Sequence, residues 1–216
     1  RPAESMLVAD LVAYSGLVYG VPVTLEAPST VRVSSAELSS EGLAFRTGAT
    51  KVLARGTLGR GETGRFAVDV TGRVEDLLPA LTRATGLGSV GNGAVALSVA
   101  AVGGIDAPRL TGRVSLTDVF LQADRRPGLT VFSLDAALDG GTLALQHATG
   151  RLGGADVSAA GLVPLQFLQG LLPDRLLQAN PSTGDATLRV SANKLTLAAL
   201  GRLAGVPPGD DISGDF

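Results

Sequence analysis

The chain has 216 residues, of which 45% are hydrophobic and only 18% are charged, and its net charge is −2. This composition allows a large buried apolar surface, which argues against disorder, and the scattered arginines form no basic cluster of the kind that binds nucleic acid. Cysteine is absent, which excludes disulfides and thiolate metal sites. The most apolar stretch, residues 6–23, is interrupted by Asp10, Gly16 and Pro22, so it is not expected to cross a membrane as a helix.

Most of the chain alternates apolar and polar residues with a period of two, the pattern of strands with one apolar and one wet face. In the run 93–102, for example, Val95, Leu97 and Val99 fall on one side, opposite Ala96 and Ser98. The alternation predicts strands near residues 21–27, 29–35, 50–58, 65–74, 93–102, 109–123, 129–139, 141–148, 154–163 and 185–192. Turn signals such as GRGETG, VGNGA, DGG and LGGA between them predict hairpins in a mostly antiparallel sheet.

Three stretches depart from this rhythm and show apolar residues at helical spacing, at 74–86, 164–179 and 195–205. Each follows a predicted strand and precedes a loop rich in Gly, Pro or Asn. Pro79 and Pro173 limit their length, because a proline inside a helix removes a hydrogen bond and clashes with the preceding turn. We therefore predict short helices or turns that lie over an end or edge of the sheet.

The sequence TGRV begins at residues 71 and 111, and TGRL begins at 149, so the copies are about 40 residues apart, a spacing typical of repeated supersecondary units. Composition alone explains part of the agreement, since Gly and Arg are abundant. Each copy lies in or at the end of an alternating run, where Gly favours a bulge, a bend or a close backbone approach. We predict that these glycines mark bends of a long curved sheet, with Thr and Arg on its solvated face.

Because alternation fixes one face per strand, one set of apolar side chains is expected to share a face and line an open groove. The predicted lining residues are Phe66, Val68, Val70, Val95, Leu97, Val99, Val114, Leu116, Phe132, Leu134, Leu143, Leu145, Leu188 and Val190. Aromatic residues make up 4% of the chain, Trp is absent and Gly numbers 29, so such a groove has room for guest chains. A genome rich in G and C would also produce this small-residue composition.

Candidate catalytic groups are few, and we expect no enzyme activity, no cofactor and no metal site. His147 is the single histidine, and strict alternation puts it on the side of Leu143 and Leu145, without a partner for general-base chemistry. The pairs Asp135 with Asp139 and Glu75 with Asp76 lack a third ligand nearby in sequence, so solvated faces explain them. The spaced glycines of GLGSVGNG precede a predicted strand, which makes them a loop and not a phosphate-binding turn.

The runs GRFAVDVTGRVEDLLPAL and GAVALSVAAVGGIDAPRLTGRVSLTDVFLQ resemble the repeating pattern of the TamB and AsmA-like family. That pattern is an alternating strand, Gly, a short leucine segment around a proline, a Gly-rich loop and further strands. YGVPVTLEAPSTVRVSSAELSSEGLAFRTGATKVLARGTLG and LTVFSLDAALDGGTLALQHATGRLGGADVSAAGLVPL resemble the same succession. The resemblance covers nearly all of the chain from about Val21 onward.

The resemblance implies a fold and a function. The fold would be mainly β, an elongated, curled antiparallel sheet that forms an open apolar groove, with a few short helices. Proteins of this family are envelope proteins of diderm bacteria, anchored in the inner membrane, and are implicated in moving phospholipid between the two membranes. The family also implies a periplasmic location, a role in outer-membrane biogenesis and an outer-membrane TamA-like barrel as partner, contacted through other parts of the parent protein.

The ends of the chain indicate how much of the parent protein it represents, and two other architectures are also compatible with the sequence. The chain opens on Arg1-Pro2 and stops at DDISGDF, so residues 1–216 are expected to be one segment of a longer repetitive protein, without an internal domain boundary. One alternative is a structural or adhesive β-solenoid whose interior is filled by its own side chains. The other is a closed barrel of eight to ten strands that holds one small ligand.

Overall fold

The computed structural model describes residues 6–61, 64–85, 91–120, 129–152, 155–168, 174–182 and 184–193, and these form a single open antiparallel sheet of 13 strands. The strands are β1 Leu7–Leu11, β2 Ser15–Val18, β3 Val21–Leu25, β4 Ser29–Val33, β5 Glu37–Thr47, β6 Thr50–Gly59, β7 Arg65–Arg73, β8 Ala94–Val102, β9 Arg109–Val119, β10 Leu129–Asp139, β11 Thr142–Leu152, β12 Ala155–Pro164 and β13 Thr187–Asn193. The helical elements are α1 Val74–Thr85, a 3₁₀ turn Leu165–Leu168 and α2 Asp174–Ala179.

The topology is a meander in which each strand from β6 onward pairs with the strand before it. At the N-terminal end, β4 pairs with residues 38–40 of β5 while β3 pairs with residues 45–46 of the same strand. β3 and β4 therefore lie end to end beside β5. β1 pairs with β4 and β2 pairs with β3, so β1 and β2 lie end to end in the next position. Among the described strands, the two edges of the sheet are formed by β1 with β2 and by β13.

Tight turns between neighbouring strands produce this topology. β5 and β6 are joined by Gly48 and Ala49, and β10 and β11 by Gly140 and Gly141. Gly48 and Gly140 have φ of 55° and 58°, in the left-handed region that glycine enters at little cost. The DGG signal at 139–141 is thus confirmed as a hairpin turn.

Register shifts bend the sheet. One extra residue lies in β5 between Ser40 and Leu43, and another lies in β11 between Leu145 and Ala148. β9 contains a third near Asp118, whose φ is 51°, and β10 a fourth between Thr130 and Ser133. Bulges bend a strand and increase its twist, and open sheets of more than about ten strands curl.

The fold class predicted from the sequence is confirmed: the protein is mainly β, its sheet is antiparallel and open, and two short helices accompany it. An open sheet contradicts the closed-barrel alternative, because the edges β1 and β13 do not pair. The antiparallel pairing also differs from that of a parallel β-helix, the usual form of a β-solenoid.

Some individual helices and strands match the predictions from the sequence, and others do not. The helix predicted at 74–86 is α1, and the stretch 164–179 contains the 3₁₀ turn and α2. The stretch 195–205 lies outside the described residues. Strands β1, β2 and β5 were not predicted, because β1 and β2 are short and the bulge in β5 interrupts its alternation.

The most buried side chains gather at the ends of the strands. Leu165, Val119 and Thr50 are the largest fully buried ones, and each lies at a strand end or just beyond it. Leu58 and Leu110 are also buried close to strand ends. Burial in the middle of the sheet is mixed, since Leu97 and Val114 are half-buried whereas Val70 and Ala136 beside them are buried.

Candidate functional site: one apolar face of the sheet

An apolar row runs across ten strands of the sheet. Directly paired residues of an antiparallel sheet lie on the same face, so the register can be followed from strand to strand. We call this the central row: Leu25, Phe45, Val52, Val70, Leu97, Val114, Ala136, Leu145, Gly161 and Leu188. Nine steps at about 4.8 Å per strand make it about 43 Å long.

Two further rows flank the central row on the same face, because residues two apart in a strand point the same way. On one side lie Leu43, Ala54, Val68, Val99, Gly112, Leu138, Leu143 and Val163. On the other side lie Gly72, Val95, Leu116, Leu134, Ala148, Ala159 and Val190. The three rows together are here called the apolar face.

The register places thirteen of the fourteen predicted lining residues on this side of the sheet. Twelve of them belong to the three rows, and Phe66 lies beyond the rows on the same side, next to Val68 in its strand. Phe132 lies in the register shift of β10 between Thr130 and Ser133, where alternation does not assign a face. Most are half-buried, whereas Leu188 and Val190 on the edge strand are 54% and 56% exposed. That these side chains contact lipid stays a prediction.

Charged side chains occupy the other face, here called the charged face. In the strands of the described part of the chain, its paired charged residues are Asp10, Arg32, Glu37, Arg46, Lys51, Arg55, Arg65, Asp69, Arg73, Arg109, Arg113, Asp135, Asp139, Arg151, Asp156 and Arg189. Glu41 and Asp118 lie in register shifts, where alternation does not assign a face. Within the regular ladders of the described strands, the apolar face therefore has no charge along its length.

Short-range interactions organise the charged face. The Asp69 carboxylate accepts a 2.6 Å hydrogen bond from Ser98 and lies 3.7 Å from the Arg55 guanidinium. Glu26 is paired with Arg46 and, at 2.8 Å, with the Lys51 ammonium. The hydrogen bond from Lys51, assisted by Arg46, lowers the pKa of Glu26 below its usual 4.5. These exposed pairs keep the face hydrated and contribute little to stability individually.

α1 lies at one end of the sheet, against the turn between β5 and β6. Its Asp76 carboxylate accepts 2.9 Å hydrogen bonds from the Ala49 amide and from the Thr50 hydroxyl. The Thr50 hydroxyl also bonds the backbone of Arg73, and a side chain on Gly72 would overlap Thr50. This contact fixes α1 over the β5–β6 turn. The sequence assigned Asp76 to a solvated face; the side chain is half-buried, and the sequence did not predict its hydrogen bonds to the turn.

A buried pair of hydrogen bonds from one side chain joins two distant parts of the chain. The Asn180 side chain, 3% exposed, accepts a 2.8 Å hydrogen bond from the Leu110 amide and donates a 2.9 Å bond to the Pro108 carbonyl. It fixes the segment after α2 against the start of β9. Because Leu110 lies 70 residues from Asn180 in the chain, no local sequence pattern indicates this role.

The TGR copies lie where the sequence predicted, within strands or at their ends, with Thr and Arg on the charged face and Gly on the opposite side. The first two copies do not mark bends, because the ladders run through Gly72 and Gly112 without a shift. At Gly150 the β11–β12 ladder is regular, but the β10–β11 ladder has a register shift there, whose extra residue lies in β10 between Thr130 and Ser133. Gly112 is instead a close approach, because a Cβ there would overlap the Ser98 carbonyl. The prediction that the repeat marks bends is therefore wrong for the copies at Gly72 and Gly112, whereas at Gly150 a bulge lies in the facing strand.

His147 lies on the charged face and not on the side of Leu143 and Leu145. The register shift between Leu145 and Ala148 inverts the alternation, so His147 is paired with Asp135 and is exposed. The sequence-based placement is wrong because period-two reasoning does not see the extra residue of a bulge. Asp139, which the sequence analysis considered together with Asp135, forms an ion pair in which its carboxylate lies 2.7 Å from the Arg109 guanidinium.

Comparisons with known proteins return no match: no family model, no curated protein and no solved structure resembles the chain significantly. Among the described residues, no three His, Cys, Asp or Glu side chains converge to form a metal site. None of the helices in the described ranges combines the length and the hydropathy that a membrane span requires. The apolar face is thus the feature on which a functional proposal rests.

Proposed function

We propose that this chain is a section of a lipid conduit of the TamB and AsmA-like kind, which binds phospholipid acyl chains on its apolar face. The observation that supports it best is the central row, which crosses ten strands without a charged or polar side chain. Its length of about 43 Å exceeds the roughly 30 Å hydrocarbon core of a bilayer.

The energetics of lipid transfer explain why such a row is needed. Exposing acyl chains to water costs about 0.8 kcal/mol per CH₂, so two chains of roughly 16 carbons cost about 25 kcal/mol. A carrier avoids this cost when apolar contact continues along the whole path. The segregation of charge onto the opposite face satisfies this condition, since a lipid that moves from Phe45 to Leu145 passes only apolar side chains.

The wider setting follows from the family resemblance. We propose that the parent protein lies in the periplasm of a diderm bacterium, is anchored in the inner membrane and moves phospholipid between the two membranes. Contact with an outer-membrane TamA-like barrel would involve other parts of the parent. The reading does not require catalysis, a cofactor or a metal.

Site-specific photo-crosslinking tests the proposal. A photoreactive residue replaces Leu97, in the middle of the central row, or its neighbour Ala96, which is exposed on the charged face of the same strand. The protein is irradiated in cells and bound lipid is identified by mass spectrometry. We expect phospholipid adducts at position 97 and none at position 96.

Two results would contradict the proposal. Equal labelling at positions 96 and 97 would mean that neither face prefers lipid. Absence of adducts at position 97 in folded protein, with no phospholipid detected by native mass spectrometry, would favour an interior filled by the protein's own side chains. In that case the self-filled structural reading would replace the conduit.

A further inference from the structure

The sheet is interrupted at one place near its N-terminal end, where gaps in neighbouring strands lie side by side. β1 gives way to β2 across residues 12–14, and β3 gives way to β4 across residues 26–28. The register shift of β5 at residues 41–42 lies beside the second gap, because β3 and β4 pair with β5 on either side of it. A cavity of about 410 Å³ opens at this break, and its lining includes Asp10, Leu11, Ser29, Thr30, Glu41 and Gly42.

Two serine hydroxyls beside the break are buried on the same side of the sheet as the apolar face. The ladder leads from Ser40 through Gly56 to Phe66. The other partner of Ser40 is Val31, which lies two residues from Ser29 in β4. Ser40 is 5% exposed, and the Oγ atoms of both serines are buried without a hydrogen-bond partner in the described part of the chain. The register explains this for Ser40, since Val31 is apolar and Gly56 has no side chain.

The two hydroxyls fit a ligand that carries an uncharged hydrogen-bond acceptor. A buried hydroxyl without a partner destabilises a fold, because it loses its hydrogen bonds to water and gains none in return. A ligand with an acceptor group offsets this cost when the hydroxyl donates to it. Asp10 and Glu41 line the cavity and none of its described lining residues is basic, so an anionic phosphate is repelled there. The ester carbonyls of a diacyl lipid are uncharged acceptors, and they lie where the acyl chains begin.

Both serines lie where such a group can reach them. Ser29 is half-buried and lines the cavity directly, and Ser40 immediately precedes the lining residue Glu41. A change of rotamer redirects a serine Oγ without moving the backbone. The two serines are diagonal neighbours in the sheet, about 7–8 Å apart, a separation that the two ester groups of one lipid can bridge.

We propose that Ser29 and Ser40 bind the ester carbonyls of a diacyl lipid at the break in the sheet, while its acyl chains lie on the apolar face. The inference rests on the proposed lipid conduit and adds which part of the lipid the chain recognises. Because every diacyl phospholipid has these esters, the site selects the linkage between chains and glycerol and not the headgroup.

Two lipids that differ only in this linkage test the site. The 216-residue chain is titrated with phosphatidylcholine that has two ester-linked hexadecanoyl chains, and with its analogue that has two ether-linked hexadecyl chains and no carbonyl. Native mass spectrometry measures both dissociation constants. We expect the wild type to bind the ester lipid about two- to tenfold more tightly for each neutral hydrogen bond formed. Ser29→Ala and Ser40→Ala should each reduce this preference, and the double variant should abolish it, while the affinity for the ether lipid stays unchanged.

Ser39→Ala is the matched control. Ser39 lies in the same strand, is 6% exposed and has a buried hydroxyl without a partner among the described residues, but it is paired with Arg32 and Thr57 on the charged face. This variant should keep the full preference for the ester lipid. Urea denaturation of the lipid-free variants checks the fold, and the removal of an unpartnered hydroxyl should not lower the midpoint.

The outcomes separate this inference from the conduit itself. Equal binding of the ester and ether lipids by the wild type overturns the inference alone, and so does a preference that survives in the double variant. A lowered denaturation midpoint with an unchanged preference would give the two serines a structural role and also overturn it. A folded chain that binds neither lipid contradicts the conduit, and this inference falls with it.

Discussion

The Asp76 carboxylate of α1 accepts a 2.9 Å hydrogen bond from the fully buried hydroxyl side chain of Thr50, 26 residues earlier in the chain. The same hydroxyl bonds the backbone of Arg73, so three elements meet at one oxygen atom. α1 begins directly after β7, and this contact determines where it lies over the end of the sheet.

Asp76→Ala should lower the free energy of unfolding by about 1–3 kcal/mol, because hydrogen bonds to a charged group are worth more than neutral ones. The change leaves the Ala49 amide without its carboxylate partner. Urea denaturation followed by circular dichroism measures the loss. Glu75→Ala is the matched control, since its ion pair with Arg73 is partly exposed and should contribute less than about 1 kcal/mol. Equal losses in the two variants would contradict the assigned role of Asp76.

Asn180→Ala should destabilise the fold by about 2–4 kcal/mol, since it leaves the buried Leu110 amide and Pro108 carbonyl unpaired. Hydrogen exchange gives a local measure, because the Leu110 amide should exchange faster in the variant while the β7–β8 amides change less. Ser182→Ala removes only an exposed 3.4 Å hydrogen bond and serves as the control. Unchanged protection of Leu110 would show that Asn180 does not hold this corner.

The sequence predicts the strands in which apolar and polar residues alternate regularly, and it misses strands in which a bulge interrupts the alternation. β7, β8 and β12 keep strict alternation, and their strands and faces follow from it. β5 is not recognisable because its bulge at residues 41–42 falls within the polar run Ser39, Ser40 and Glu41. The Thr50–Asp76 and Leu110–Asn180 contacts escape sequence reasoning for a different reason, since each joins segments that only the completed sheet brings together.

His147→Ala should change neither the free energy of unfolding by more than about 0.5 kcal/mol nor the capture of lipid at position 97, because the side chain is exposed on the charged face. Denaturation and the crosslinking assay measure the two quantities. Loss of lipid capture in a folded variant would contradict the non-enzymatic reading and give His147 a role on the charged face.

Glu26→Gln should alter the pH dependence of stability. The Lys51 hydrogen bond, with help from Arg46, holds the pKa of Glu26 below 4.5 in the folded chain, so the pair stabilises the fold above that pH. The contribution is lost as pH falls through the lowered pKa, and the melting temperatures of variant and wild type should converge in that acid range. One molar salt should shrink the difference at neutral pH, because the group is exposed. A difference that persists at acid pH would assign the effect to packing.

The shared face of most predicted lining residues follows from the sequence, while their contact with lipid stays a prediction. The co-facial placement of Phe66, Leu97 and Leu188 follows from one rule, since side chains alternate and paired residues share a face. The rule fails only where a residue is inserted, as at His147. The rule also does not predict the order of the strands, because alternation within a strand does not reveal which strands lie side by side.

Val99→Asp should slow lipid transport more than it destabilises the fold. Val99 lies between Val68 and Gly112 on the apolar face and is half-buried, so a carboxylate there can draw in water from the open side of the sheet. Its cost to folding should therefore lie near the low end of the roughly 1–3 kcal/mol found for imperfectly paired polar groups in proteins. An acyl chain that passes must displace that water or leave the carboxylate desolvated. A barrier of about 3 kcal/mol at this point would slow passage about a hundredfold.

Ala96→Asp is the control, because Ala96 lies in the same strand, is exposed on the charged face and is paired with Thr71 and Ser115. It should leave transport unchanged. Each change is introduced into the full-length parent, and phospholipid transfer between the membranes is measured together with protein abundance. Normal transport by abundant Val99→Asp protein would mean that lipid does not pass this part of the sheet. If instead the free energy of unfolding of the variant falls by well above about 3 kcal/mol, Val99 is enclosed by protein and the apolar face is a core. Only reduced transport at normal abundance agrees with a conduit, because a charge that the fold tolerates can block transport only on a surface open to lipid.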